Sequence, residues 1–145
     1  MSARASIVKA LVEELKRING EGTFQTDLSG NVSNQLKFYD ELNDFPFVCV
    51  TAGYESREYL PSDFKWGFVN ISIKIYVQNE EAQFELEKLI SDVELVLHDN
   101  EQLSYSAGTD EKLTEILITS IQTDEGVLTP IGVGEINIVA RYQVL

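Results

Sequence analysis

Between residues 69 and 77, Val69, Ile71, Ile73, Ile75 and Val77 alternate with Asn70, Ser72, Lys74 and Tyr76. A period of two predicts a strand with one apolar face and one face open to water or a partner. Asn79 then offers a side-chain oxygen to the first N–H groups of a helix, and Glu80 and Glu81 suit its positive end. Ala82, Leu86, Leu89, Ile90, Val93 and Val96 follow at helical spacing as one buried stripe. Strand and helix should both be roughly 30 Å long, so a one-residue turn lets the helix fold back along the strand's apolar face. Burying the five strand side chains contributes about 1.5–3 kcal/mol each before entropy is counted.

The same reading extends along the chain. Ile7, Val8, Leu11, Leu15 and Ile18 predict a first helix over Arg4–Ile18, with Lys16 and Arg17 in its last turn and Asn19-Gly20 ending it. Residues 21–44 are polar and read as a long loop, with a strand expected near Phe24 and a turn or short helix near Phe38. Phe45-Pro46 opens a strand through Thr51. Gly53–Lys65 reads as a polar, aromatic excursion leading into a strand over Trp66–Val77. Past the second helix, 99–112 reads as a polar loop, Thr114–Thr123 as a strand, 124–126 as a turn, 128–134 as a connection and Glu135–Val144 as the last strand. In that strand Ile136, Ile138, Ala140, Tyr142 and Val144 share a face. The expected fold is α+β: a mainly antiparallel sheet of four or slightly more strands, with two helices on one face.

At 145 residues the chain is expected to form a single domain spanning 1–145. No apolar run approaches the ~20 residues that span a bilayer, and Met1–Ser6 leads into an amphipathic pattern, not a signal peptide. The one cysteine, Cys49, lies in Phe47-Val48-Cys49-Val50 and reads as a small buried apolar residue. With no internal disulfide possible, synthesis in a reducing cytoplasm is expected. The net charge of −13, from 24 acidic and 11 basic residues, opposes phosphate binding and argues against a nucleic-acid-binding module.

Chemistry is sparse. His98, the single histidine, closes the second helix, where it suits the dipole. One histidine and one cysteine cannot assemble a His- and Cys-rich zinc cluster. There is no nucleophile elbow, no Walker sequence and no calcium-loop spacing, and Gly132-x-Gly134 reads as turn glycines. The acidic pairs Asp92/Glu94, Asp110/Glu111 and Asp124/Glu125 are what so many carboxylates produce by chance. No catalytic, cofactor or metal residue is assigned. The stronger candidates are Tyr54, Arg57, Tyr59, Phe64, Lys65 and Trp66, because aromatics beside Arg and Lys are typical of protein–protein contacts. Packing at the base of a hairpin is the competing reading for Phe64 and Trp66.

Four features in order carry a family resemblance. An amphipathic helix leads the chain. The segment Phe45-Pro46-Phe47-Val48-Cys49-Val50-Thr51-Ala52-Gly53-Tyr54-Glu55 forms a first strand. Ile75-Tyr76-Val77 runs directly into a helix with Leu86-Glu87 and Leu89. Asp124-Glu125-Gly126 precedes Leu128-Thr129-Pro130-Ile131-Gly132 and a strand ending in Arg141-Tyr142. This set resembles the tail terminator family of long-tailed bacteriophages, the lambda-type terminator and its relatives. The resemblance implies a structural virion protein at the head-proximal end of the tail, not an enzyme and without a cofactor. It implies a homohexameric ring that caps the tail tube, stops its growth, and docks the head-completion or neck protein. DNA would pass through the lumen without specific binding, and no membrane is involved. The excursion 53–66 would contact the tube or an adjacent subunit, and edge strands would pair between subunits. A head–tail connector, a small acidic enzyme and a cytosolic adaptor are the alternatives.

Overall fold

The computed structural model describes residues 2–105 and 113–144. Helix α1 covers Ala3–Leu15. The Ser2 hydroxyl accepts the N–H of Ala5 at 3.1 Å and caps it, and Ile7, Leu11 and Leu15 are fully buried along one face. The helix stops three residues before the expected Ile18. Two tight turns, Arg17 N–H to the Glu14 carbonyl and Ile18 N–H to that of Leu15, swing Ile18 into the core instead. Lys16 and Arg17 therefore lie beyond the last turn, where they pair with Glu13 and Glu14.

The chain then follows a long connection containing β1 (Val32–Ser33) and a 3₁₀ turn (Tyr39–Glu41), the latter beside the expected Phe38. The strand expected near Phe24 is absent; an isolated bridge between Asn19 and Asp27 is the only pairing there. Strands β2 (Phe47–Leu60) and β3 (Phe64–Gln78), helix α2 (Ala82–Asp99), and strands β4 (Gln102–Ser104), β5 (Leu113–Thr123) and β6 (Ile131–Val144) follow. Six strands form one sheet in the order β1-β2-β3-β6-β5-β4, the four expected and two short ones at its edges. Every pair is antiparallel except β1 with β2. The two added strands are too short to register as periodic patterns in sequence. The anticipated class, α+β with two helices on one face of a mainly antiparallel sheet, is the fold observed.

Three segments depart from the expected pattern. The excursion after Gly53 is strand, not loop: a bulge between Ala52 and Glu55 accommodates Gly53 and Tyr54, and pairing resumes from Glu55↔Val69 to Leu60↔Phe64. Its alternation is faint because the helices no longer cover it, so neither face demands apolar residues. Helix α2 starts at Ala82, not directly after Asn79. The Asn79 side-chain oxygen accepts the N–H of Glu81 at 2.8 Å in a turn that precedes the helix and does not cap it. Gly132 and Gly134 are strand residues, not turn glycines. A Cβ on Gly132 would lie 2.7 Å from Val77 Cγ2 and 3.1 Å from the Ala82 carbonyl, so glycine there lets α2 begin directly on the sheet.

The faces of β3 and β6 alternate as their sequences demand. Val69, Ile71, Ile73 and Ile75 sit beside Ile136, Ile138 and Ala140, all at most 1% exposed, beneath α1 and α2. The sheet curls so far that α1 packs against β1 and β2 near one edge and against β4 at the other. On the helix-free face, the long connection covers Cys49 and Tyr76, both almost fully buried. The Tyr76 hydroxyl donates to the Lys37 carbonyl at 2.7 Å. Asp92 of α2 is fully buried and ties down the first part of the same connection. It accepts the N–H groups of Gln25 and Thr26 and the Thr26 hydroxyl.

Candidate assembly surface

All six sequence candidates lie on the ribbon made by the far halves of β2 and β3, but they do not form one patch. Strand parity divides them. Arg57, Tyr59 and Lys65 take the helix-side face, with Arg57 opposite Gly67 and Tyr59 opposite Lys65. Phe64 and Trp66 take the other face. Tyr54 sits in the bulge and is 73% exposed.

On the helix-side face the organising group is Glu55, which the sequence did not single out. Its side chain is only 5% exposed. Arg57 donates to one of its oxygens, Arg4 of α1 lies 3.8 Å from the other, and the Tyr142 hydroxyl donates to it at 3.0 Å. Burial, then the bond to Glu55, pushes the Tyr142 phenol above its ordinary pKa. The hydrogen bond to Glu55 likewise holds the exposed Arg57 guanidinium above its usual value. Arg4 also donates to the carbonyl of Gly53, which anchors the bulge to α1. The Tyr142 ring lies over Gly67, where a Cβ would meet it at 2.6 Å. A sequence signal for this cluster did exist: Tyr142 falls on the apolar face of β6, where a phenol needs a partner. Tyr59 adds a cation–π contact with the Lys65 ammonium, 5.3 Å from its ring centre.

Across the sheet, Phe64 meets Trp66 edge-on at 4.9 Å between ring centres, and the Arg141 guanidinium stacks 4.4 Å over Trp66 while pairing with Glu115. Phe64 and Trp66 thus touch each other and Arg141 while both stay half-buried, and Tyr54 and Tyr59 are the exposed aromatics of the ribbon.

Beyond this ribbon the surface divides by charge. Around α2, Glu80, Glu81, Glu85, Glu87, Glu94, Asp99 and Glu101 face Lys88 as the single Lys or Arg. The helix-free sheet face is nearly balanced and carries an uncharged polar row. In it the Ser72 hydroxyl bonds the Asn137 amide oxygen at 3.1 Å, and the Asn137 amide donates to Ser120 at 3.0 Å. His98 is exposed and lies 3.3 Å from Glu101 at the end of α2. Cys49 is buried, and burial raises its thiol pKa. Among the described residues no three His, Cys, Asp or Glu side chains gather as a metal site. Of the three acidic pairs, Asp110/Glu111 lies outside the described residues. Asp92 is occupied with backbone donors, and Asp124 accepts the N–H groups of Leu128 and Val133 within its own turn. No helix among the described residues is long and apolar enough to cross a membrane.

What this surface offers is contact area, not reaction chemistry, and comparison with known proteins agrees. A family model described as bacteriophage tail tube terminator protein matches residues 1–145. The tail tube terminator protein p142 of Escherichia phage T5 is 36% identical, over 99% of this chain and 95% of that protein. A chain of the virion of a native gene transfer agent particle shares the fold, with a TM-score of 0.55 at 13% identity, over 99% of this chain and all of that one. The chain belongs to the bacteriophage tail tube terminator protein family, whose role is structural and not enzymatic.

Proposed function

We propose that copies of this chain form a hexameric ring on the last ring of the tail tube, end tube growth there, and offer their other face to the head-completion or neck protein. The observation that carries this is family membership along the full chain, joined to a surface rich in contact groups. The protein would then occupy the head-proximal end of the virion tail. The β2–β3 ribbon, with Tyr54, Arg57, Tyr59, Phe64, Lys65 and Trp66, is the contact with the tube or an adjacent subunit. Six copies, each at −13, would surround a channel that DNA crosses without specific binding. Negative walls repel phosphates at close range, and screening confines that effect to roughly 8–10 Å at physiological salt.

The test is assembly in vitro. Purified protein added to growing tubes of the cognate tail-tube protein should cap one end and shorten the length distribution, as seen by negative-stain imaging. Light scattering would give the mass of the cap. Tubes that elongate unchanged and carry no added density at either end would defeat the proposal.

A further inference from the structure

Two strands of the sheet are much longer than their outer neighbours. β1 covers β2 only at Val48 and Cys49, and β4 covers β5 only from Leu113 to Glu115. Ile116 still donates to the Glu101 carbonyl, but among the described residues nothing pairs with the outer edge of Leu117–Thr123. The outer edge of β2 is equally open from Glu55 to Leu60, beyond the bulge that Arg4 holds. These runs are close in length. Of the twelve large hydrophobic side chains exposed among the described residues, six flank them: Tyr54, Tyr59 and Leu60 on β2, and Leu117, Ile118 and Ile121 on β5.

An open edge presents unpaired N–H and C=O groups, and soluble proteins blunt such edges with Lys, Pro, bulges or covering chain. Leu117–Thr123 carries no charge and no proline, only the bulge near Thr119. Seven uncharged residues of high β-propensity are a template for pairing. On β2, Glu55 pairs with Arg57 and with Arg4, so Glu58 is the one charged residue of the run with no ion-pair partner among the described residues.

We infer that the open edge of β5 in one copy pairs with the open edge of β2 in the next, and that this contact closes the ring; the inference rests on the ring reading above. A cyclic ring needs two different, mutually complementary surfaces on each subunit, and these two edges supply them. Direction also fits. β2, β3, β6 and β5 alternate in sense, so β5 runs opposite to β2. Through the registers, Leu117–Thr123 lies level with residues 48–54 of β2 and not with Glu55–Leu60, so the two open runs meet when the strands are inclined to the ring axis, as they are in closed barrels. Rotation about such an axis still preserves sense, so β5 meets the neighbour's β2 antiparallel, the pairing with straight hydrogen bonds.

The test uses Ser56→Cys and Ser120→Cys, both on the helix-free face (Ser56 opposite Phe68, Ser120 opposite Asn137). The two variants are mixed, assembled on tubes, and treated with a short bis-maleimide; the native Cys49 is fully buried and serves as the silent background. Two-chain products should appear only in the mixture, and the double variant should give a ladder up to the ring. Products within either single variant, or products with tube protein, would overturn the inference. Separately, Ile118→Lys with Ile121→Lys should keep native circular dichroism and melting but leave no closed ring, whereas a normal ring would refute it. Failure of the wild-type protein to cap tubes would defeat the functional reading, and crosslinking between free copies would still decide the edge pairing.

Discussion

Replacing Asp92 with alanine should detach the first part of the long connection from α2. The carboxylate is fully buried and no cation pairs with it among the described residues. It is held instead by the Gln25 N–H at 3.0 Å to each oxygen, the Thr26 N–H at 2.7 Å and the Thr26 hydroxyl at 2.5 Å. Hydrogen bonds to a charged group are worth about 1.5–3 kcal/mol each, and alanine leaves three donors without an acceptor. The contributions do not add, because the released segment recovers part of the loss by turning to water, so the expected cost is about 2–4 kcal/mol. At about 2–4 °C per kcal/mol for a chain near this size, that is a fall in Tm of roughly 4–16 °C. Asp92→Asn should forfeit most of the same energy, since the amide nitrogen must face one of the donors. Urea unfolding would read the free energy, and native-state amide exchange would read the location. The Gln25 and Thr26 amides should lose protection while those of β3 and β6 keep theirs. A loss below about 1 kcal/mol with the Gln25 and Thr26 amides still protected would refute the assignment of Asp92 as the tie.

Three further outcomes follow from the geometry. Gly67→Ala should cost about 1–3 kcal/mol in chemical denaturation by driving the Tyr142 ring off Glu55, and an unchanged midpoint would show that the ring relaxes freely. Burial, reinforced by Cys49, Glu135 and Glu41, pushes the Tyr76 phenol up to about 12. Its stabilisation is therefore complete below the unfolded value near 10 and lost as pH rises towards about 12. Tyr76→Phe should cost about 0.5–1.5 kcal/mol at neutral pH, by removing the bond to Lys37, and flatten the alkaline decline in Tm; an equally steep decline would count against this. Ser62, with a φ of 68° in the β2–β3 turn, should gain about 0.5–1 kcal/mol on replacement by glycine, measured by thermal melting; a loss would show that the serine side chain contributes more than its backbone strain costs.

The legible parts of this fold are those in which one face is buried. β3, β6 and α2 carry full periodic patterns because each spans the core, and the sequence placed their apolar faces correctly. The far half of β2 was hidden for the opposite reason. From Arg57 to Leu60 every residue is exposed, so Arg57, Glu58 and Tyr59 carry no alternation. β1 and β4, of two and three residues, are shorter than any period. The assembly candidates rest on residue type alone, which cannot divide the six between two faces or say that Tyr54 and Tyr59 are the exposed aromatics. That division depends on where the bulge falls. Glu55 and Asp92 were missed because a buried carboxylate is recognised by its donors, and these come from Arg4, Arg57 and Tyr142 in one case and from Gln25 and Thr26 in the other. Arg57 alone is close to its partner in sequence; the other donors are remote.

Helix α1 reaches from β1 and β2 to β4 across the mouth of the curled sheet, and so acts as a spacer. Its girth, about 10–12 Å with side chains, sets how far the sheet can close and hence the angle between the two open edges. In a ring joined through those edges, that angle is the turn each subunit contributes, and the number of subunits is the count at which the turns complete a circle. Trimming Ile7, Leu11 or Leu15 would narrow the spacer and change the curvature. The apolar side of a single helix would then act as the gauge that fixes the diameter of the ring.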